Sequence, residues 1–450
     1  MENKITKIIA EEIKDSRGNP TLKVTVWACP SEALAKGDED VSASFSVPSG
    51  ASTGAHEAHE LRDADGNPSI ALGARGVKDA AYKVNNLIAG NLIGKDVLNQ
   101  KEIDQTMIDL DGTPNKDNLG GNSTIGVSIA CAKVAAKISG QEVFEYLRTL
   151  QLSSGQAINE IKPSRKTPYL YMNLINGGKH AKNDLAFQEY HIVPNTEDIE
   201  EAVEIGIKIQ NTLKKNILIE LGEDSLVLGD EGGFAPKISD IKKPLQLLTD
   251  AIKQNYLLGK VFLALDVAAS SFYVAARPGD LNGFYKVVDP EHSRGVDNKN
   301  ISKEELMSIY RNLIKEYSLF SIEDPFDEED FESFKKLKEN NSNLRVVADD
   351  LTVTNKTLLA QAIKKESINT MIIKPNQIGT LSETLETMKL ARENDIDLIV
   401  SHRSGETDDD FIADLSFAFG CFGLKAGAPE KFERKIKYDR LKVITKLIKE

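Results

Sequence analysis

From about residue 169 onward the chain alternates short apolar, β-prone runs with longer amphipathic stretches, and this pattern restricts the fold more than any other feature. The runs are YLYMNLI, EYHIVP, VFLALD, LFSIED, RVVADD, TMIIK, DLIVSH and FGLKAG. Between the later ones lie segments with helical periodicity, such as KEELMSIYRNLIKEYS, NKTLLAQAIKKES and SETLETMKLARENDI. Strand–helix alternation of this length predicts a parallel sheet. Eight strands in about 290 residues is the scale of a (β/α) barrel. A doubly wound open sheet is the alternative, but no glycine-rich dinucleotide fingerprint follows the first strand.

The first part of the chain reads differently. ITKIIAEEIKD and TLKVTVWAC are β-rich, with DSRGNP (15–20) as the turn between them. PSEALAKGDEDVSAS reads as a polar connection, and SVPSGASTGAHEAHELRDADGNP as a loop running into a short helical turn. Residues 76–110 and 123–140 read as helical. Periodicity is lost over 153–168. The expected organisation is therefore an N-terminal α+β domain over 1–150 with a mobile loop, followed by an eight-stranded barrel domain over 160–450.

Composition narrows the class. No apolar stretch is long enough to cross a membrane. The N-terminal stretch lacks a signal-peptide core, and three scattered cysteines make no disulfide or redox pair. These features fit a reducing cytoplasm. A net charge of −13 argues against a general nucleic-acid binder. It does not exclude an anionic small molecule held by a local cluster of cations.

The ends of the later strands carry the chemistry. They are Asp266, Glu323 with Asp324, Asp349 with Asp350, Lys374, then His402 with Arg403 and Ser404, and finally Lys425. Glu323, Asp349, Lys374, His402 and Lys425 follow one another at intervals of 26, 25, 28 and 23 residues, each one strand–helix unit. In a barrel these ends converge on one rim. A single Asp after a strand is more often a helix cap or turn former. Six consecutive strands ending in ionisable groups form a different kind of signal. Three carboxylates together repel unless a cation sits among them, and an all-oxygen set of Asp266, Glu323 and Asp349 suits Mg²⁺.

Three further clusters stand out. VLGDEGGFAP (227–236) places Asp230 and Glu231 before two glycines, which a plain tight turn also explains. VPSGASTGAH (47–56) is a small-residue loop able to close over an anion, although composition alone favours an ordinary surface loop. NLINGGKHAKNDLAFQEY (173–190) offers His180, Gln188 and Glu189.

Taken in order, SVPSGASTG, GDEGGFAP, LALDVAAS, SIEDPF, VADDLTVTN, IKPNQIGT, SHRSGET and LKAGAP resemble the motifs of the enolases. DSRGNPT and GVSIACAKVAA match as well, so the resemblance runs from about residue 5 to residue 440. It implies Mg²⁺-dependent, reversible dehydration of 2-phosphoglycerate to phosphoenolpyruvate, with two Mg²⁺ per site. It implies Asp266, Glu323 and Asp349 on the first Mg²⁺, and Ser52 of the closing loop on the second. Lys374 is implied as the base and Glu231 as the acid. Gln188, Arg403, Ser404 and Lys425 are implied to contact substrate, and His180, Glu189 and His402 to complete the pocket. A lysine base needs a depressed pKa, which a dry, cation-rich site provides; the Lys-plus-Mg²⁺ arrangement is a known pattern of this superfamily.

The family further suggests a homodimer or an octamer, with no nucleic-acid or membrane partner required. Lys179, Lys182, Ser271 and Ala426 depart from the usual pattern, and 28–44 is a longer connection than usual. Two other readings stay open at this level: an acid-sugar dehydratase with the same metal carboxylates, and a scaffold or surface-displayed form that keeps only the fold.

Overall fold

The computed structural model describes residues 3–30, 40–50, 54–63, 75–150, 165–276, 283–288 and 298–449. The segment expected to mark the domain boundary and Ser52 of the closing loop lie outside these residues.

The N-terminal unit begins with the antiparallel strands β1 (Lys4–Lys14) and β2 (Pro20–Cys29). The turn between them is held by one carboxylate: Asp15 accepts the backbone N–H of Arg17 at 2.9 Å and of Asn19 at 2.8 Å. Gly18 takes the positive φ of 82° that this turn demands. A third strand, β3 (Val41–Ser46), pairs with β2. It corrects the reading of this stretch as a polar connection. Its buried residues are Ala43, Phe45 and Ser46, and a run of small polar residues hides that alternation.

Helices follow: α1 (Lys78–Tyr82), a π-helical turn (Lys83–Ile88), α2 (Ala89–Leu92), α3 (Gln100–Asp111), α4 (Gly121–Ile138) and α5 (Val143–Thr149). α4 is buried on nearly every face, which its small residues permit. At Gly126 a Cβ would stand 2.6 Å from Cγ2 of Val24, so helix and sheet touch backbone to side chain.

The second unit is a closed barrel. Its strands are β4 (Tyr169–Asn176), β5 (Glu189–Pro194), β6 (Val261–Asp266), β10 (Ser321–Glu323), β11 (Arg345–Ala348), β12 (Thr370–Ile373), β13 (Asp397–Ser401) and β14 (Gly423–Lys425). All eight expected runs are strands. A small antiparallel sheet, β7 (Tyr273–Val274), β8 (Phe284–Val288) and β9 (Asn298–Ile301), is inserted after β6. The outer helices are α6 (Ile199–Leu221), α7 (Lys243–Gln254), α8 (Lys303–Tyr317), α9 (Phe331–Asn340), α10 (Lys356–Lys364), α11 (Leu381–Glu393), α12 (Phe411–Ala418) and α13 (Phe432–Leu447).

The alternation alone predicts a wholly parallel sheet, and the barrel departs from that at one strand. β5 runs antiparallel to both β4 and β6. The link from β4 to β5 holds only a 3₁₀ turn (Gly178–His180), so no helix carries the chain back for a parallel strand. Two helices, α6 and α7, then return the chain to the end it left.

One end of the barrel is plugged by aromatic rings. Phe262 and Phe320 stack with centroids 4.5 Å apart, and the Arg345 guanidinium lies 3.7 Å over Phe422. The other end faces the N-terminal unit. Asp104 of α3 accepts the backbone N–H and hydroxyl of Ser382 at 2.9 and 2.6 Å, and Lys133 of α4 pairs with Asp409 at 2.6 Å. Ser49 and Gly405 exchange two backbone hydrogen bonds, so the loop 47–50 is stitched to the barrel mouth.

The turn carrying Glu231 packs against β4 with no room to spare. A Cβ on Gly233 would stand 2.5 Å from Oδ1 of Asn176, 2.9 Å from the Leu174 carbonyl carbon and 3.0 Å from the Asn173 carbonyl oxygen. Gly233→Ala is expected to cost about 1–3 kcal/mol in a urea unfolding curve, because two of those three neighbours are backbone.

Candidate active site

The strand ends meet as the sequence predicts. One narrow cavity is lined by His180, Gln188, Glu189, Glu231, Asp266, Asp349, Lys374, His402, Arg403, Ser404 and Lys425, together with Asp324 and Asp350. Of the expected site residues described, Glu323 alone is not on this wall. It is paired in register with Asp266 and lies, 4 % exposed, against Lys425.

Lys425 is the centre of the charge pattern. Its ammonium lies 2.9 Å from Asp266, 2.8 Å from Glu323 and 3.2 Å from Glu189. Burial opposes its charge, but the three carboxylates prevail and hold its pKa well above the usual lysine value. One ammonium cannot satisfy three buried carboxylates. Glu189 stays ionised despite burial, held well below the usual range by Lys425, His180 and His191. Burial and Asp266 push Glu323 well above it, and Asp266 is raised mainly by burial and Glu189, against Lys425.

A second acidic group adjoins the first. Ligand oxygens of Asp324, Asp349 and Asp350 lie within 4.8 Å of one another. Asp324 braces the turn, accepting the backbone N–H groups of Asp349 and Asp350 at 3.0 and 2.8 Å. Burial and Asp349 push the Asp350 carboxyl up to about 8. Asp349 is the shared member, holding Lys374 on one oxygen and accepting from Gln377 on the other at 2.9 Å.

The donor set therefore fits a hard divalent cation. The nearby acids outnumber the cations that neutralise them, and all of the expected ligands offer oxygen. The Gln188 Oε1 atom is buried here without a hydrogen-bond partner among the described residues.

The depressed pKa expected of Lys374 does not hold while Asp349 faces it alone. Burial lowers it, but Asp349 outweighs burial, and the net direction is upward. The expectation depends on cations drawing on the same carboxylate.

Glu231 stands across the cavity. Its Oε2 accepts from Asn173 at 3.0 Å and lies 3.2 Å from Nε2 of His402, while its Oε1 lies 3.5 Å from Nδ1 of His180. Burial and Glu189 raise its pKa, yet the two histidines prevail and hold it below the usual range. Burial, with Arg434, pushes the His402 imidazole down to about 4 against the pull of Glu231. His180 is raised, because Glu231 and Glu189 outweigh its burial.

Arg403 is held at the mouth by Glu57, with contacts of 2.9 and 3.2 Å, and by Asn376 at 3.1 Å. Lys179 and Lys182 are exposed on either side of His180, in a groove that they share with Asp224 and Asp230.

Sequence reasoning missed Asn173, Gln377, Glu57 and Arg434. Asn173, Gln377 and Glu57 sit inside or beside motifs already singled out, where neutral or turn residues drew no attention. Arg434 does carry a signal: α13 buries Arg434, Lys437, Tyr438, Leu441 and Ile444 at helical spacing, so two cations lie on its apolar face.

Two family models account for almost the whole chain. The enolase N-terminal domain matches residues 5–147, and the enolase C-terminal TIM barrel domain matches residues 165–450. The chain belongs to the enolase family. Its enzyme class is accordingly that of the hydro-lyases, phosphopyruvate hydratase. The enolase of Methanocaldococcus jannaschii is 42% identical over 438 residues, covering 97% of this chain and 94% of that one. Enolase B of Dictyostelium discoideum is also 42% identical, covering 97% and 93%. The enolase of Nitratiruptor sp. is 43% identical, covering 97% and 95%. Among the described residues no helix of this enolase-family chain is long and apolar enough to cross a membrane.

Removing the central cation tests the electrostatic account. Lys425→Met is expected to destabilise the fold by about 3–5 kcal/mol near neutral pH, since it leaves buried carboxylates unpaired. In that variant their folded pKa values lie above the unfolded ones. The deficit is therefore small below about pH 4 and grows as pH rises, which urea melts at several pH values read directly.

Proposed function

We propose that this chain catalyses the reversible dehydration of 2-phosphoglycerate to phosphoenolpyruvate, as a cytoplasmic enzyme acting on a small anionic substrate. The observation that carries the reading is that Lys374 and Glu231 line the same cavity, with Lys425 among the carboxylates, in a member of the enolase family.

The residues divide the work. Lys374 removes the C2 proton, onto Nζ. Glu231 gives a proton to the C3 hydroxyl, which leaves as water, so the two transfers balance. Lys425 faces the charge that develops on the substrate carboxylate as the C2 proton departs. Gln188, Arg403 and Ser404 orient the anion, and His180, Glu189 and His402 close the pocket around it. Arg403 must exchange part of its contact with Glu57 for the substrate phosphate. Asp266, Glu323 and Asp349 would hold one Mg²⁺, and Ser52 with substrate a second; when bound, the ions would supply positive charge against the substrate carboxylate.

Glu231 needs a proton to give. Its two histidines hold its pKa below the usual range, and His180, with Nδ1 3.5 Å from Oε1, is the neighbour placed to pass a proton to it. The exposed Lys179 and Lys182 add positive charge on either side of His180 in a molecule of net charge −13.

Phosphoenolpyruvate formation, followed by ultraviolet absorbance, is expected with Mg²⁺ and not after its removal by chelation. Well-folded protein that yields no metal-dependent product sinks the reading. Lys374→Ala is expected to lower kcat by at least about 10²–10⁴-fold with the fold intact; unfolding instead would make Lys374 a structural residue. Neutralising Lys179 and Lys182 together is expected to lower kcat/KM at low salt and flatten its salt dependence, with kcat unchanged. An unaltered salt slope removes them from substrate capture.

A further inference from the structure

Arg434, on α13, is completely buried, and its guanidinium joins the two loops that carry the acid and the anion contacts. Nη1 donates to the Arg403 carbonyl at 2.6 Å. Nη2 donates to the Ser404 carbonyl at 2.7 Å and the Asp230 carbonyl at 3.1 Å. Nη1 also lies 2.6 Å from Nδ1 of His402.

That last contact has only one chemical solution. A guanidinium donates and never accepts. Nδ1 must therefore offer its lone pair, and the single proton of the neutral imidazole must sit on Nε2. Nε2 is the atom 3.2 Å from Oε2 of Glu231. Oε2 already accepts from Asn173 at 3.0 Å, so both groups around it are donors. A proton that Glu231 carries for transfer must then sit on Oε1, the oxygen facing His180.

We propose that Arg434 is a positioning residue that locks His402 in the Nε2–H tautomer, so that the imidazole turns an N–H toward Glu231, without yet being hydrogen-bonded to it, and cannot accept its proton. The proposal rests on the reading of Glu231 as the acid. Without Arg434 the other tautomer becomes available, and its bare Nε2 would compete with substrate for the proton of Glu231. The charged groups facing His402 are Glu231 from the 227–236 turn, Glu189 from β5, Glu406 after β13 and Arg434 from α13.

Long-range ¹H–¹⁵N correlation spectra of the full chain with ¹⁵N-labelled histidine read the tautomer without turnover. His402 is expected to show protonated Nε2 and bare Nδ1 from about pH 6 to pH 8. An Nδ1–H pattern in the unsubstituted protein overturns the proposal whatever any variant does. Arg434→Met is expected to lower kcat by roughly 10–100-fold. It should also move the acid limb of the kcat–pH profile upward, toward the ordinary imidazole value of about 6.5. Arg434→Lys, which keeps a donor, should restore the limb. A merely structural guanidinium would lower kcat equally at every pH, so a folded Arg434→Met protein with an unmoved limb also overturns the proposal. If Arg434→Met does not fold, the tautomer of the unsubstituted protein decides. Absence of phosphoenolpyruvate formation by that protein defeats the functional reading separately, since the tautomer is measured without substrate.

Discussion

The Lys425 ammonium between Glu189, Asp266 and Glu323 is the contact on which the rest of the rim depends. Each of these carboxylates is nearly inaccessible to water, and each sits at the rim end of a different strand. Without a cation the three could not all be charged in so dry a place. With one, the site remains short of positive charge. That shortage explains in one stroke why the Glu323 carboxyl is pushed above its usual range, why Asp349 clings to Lys374, and why a divalent ion is the natural complement. The same deficit ties the base to the metal set, because Asp349 belongs to both.

The barrel is the platform that makes such crowding tolerable. Aromatic rings fill the opposite end, so apolar burial accumulates far from the charges. The N-terminal unit then covers the charged end through polar contacts such as Asp104 with Ser382 and Lys133 with Asp409. Stability and chemistry are thus assigned to separate ends of one sheet. The π-helical turn, α5 and the sheet β7–β9 lie away from this division of labour.

Much of this is legible in the sequence because strand periodicity and strand-end chemistry are local signals. VFLALD and TMIIK declare both a buried strand and the charge that ends it. What is not legible depends on faces, directions and distances. The reversal of β5 follows from the lack of a helix between Asn176 and Glu189, and a strand's own residues do not state its direction. β3 hides its alternation among serines. Arg434 lies on a helix whose pattern marks it as buried but does not name its partner. The sign of the Lys374 shift depends on how closely Asp349 lies against the ammonium, and residue types alone do not give that separation.

Arg434 has a consequence in time as well as in space. The loops it joins are translated before it, yet the guanidinium that gathers their carbonyls at Asp230, Arg403 and Ser404 arrives only with α13. Chains are made from the N-terminus, and domains fold largely as units during synthesis. The barrel's walls can thus assemble on the ribosome while the chamber within them is still unset. Its geometry is completed only when α13 emerges and docks, so a reactive chamber cannot precede that helix during synthesis.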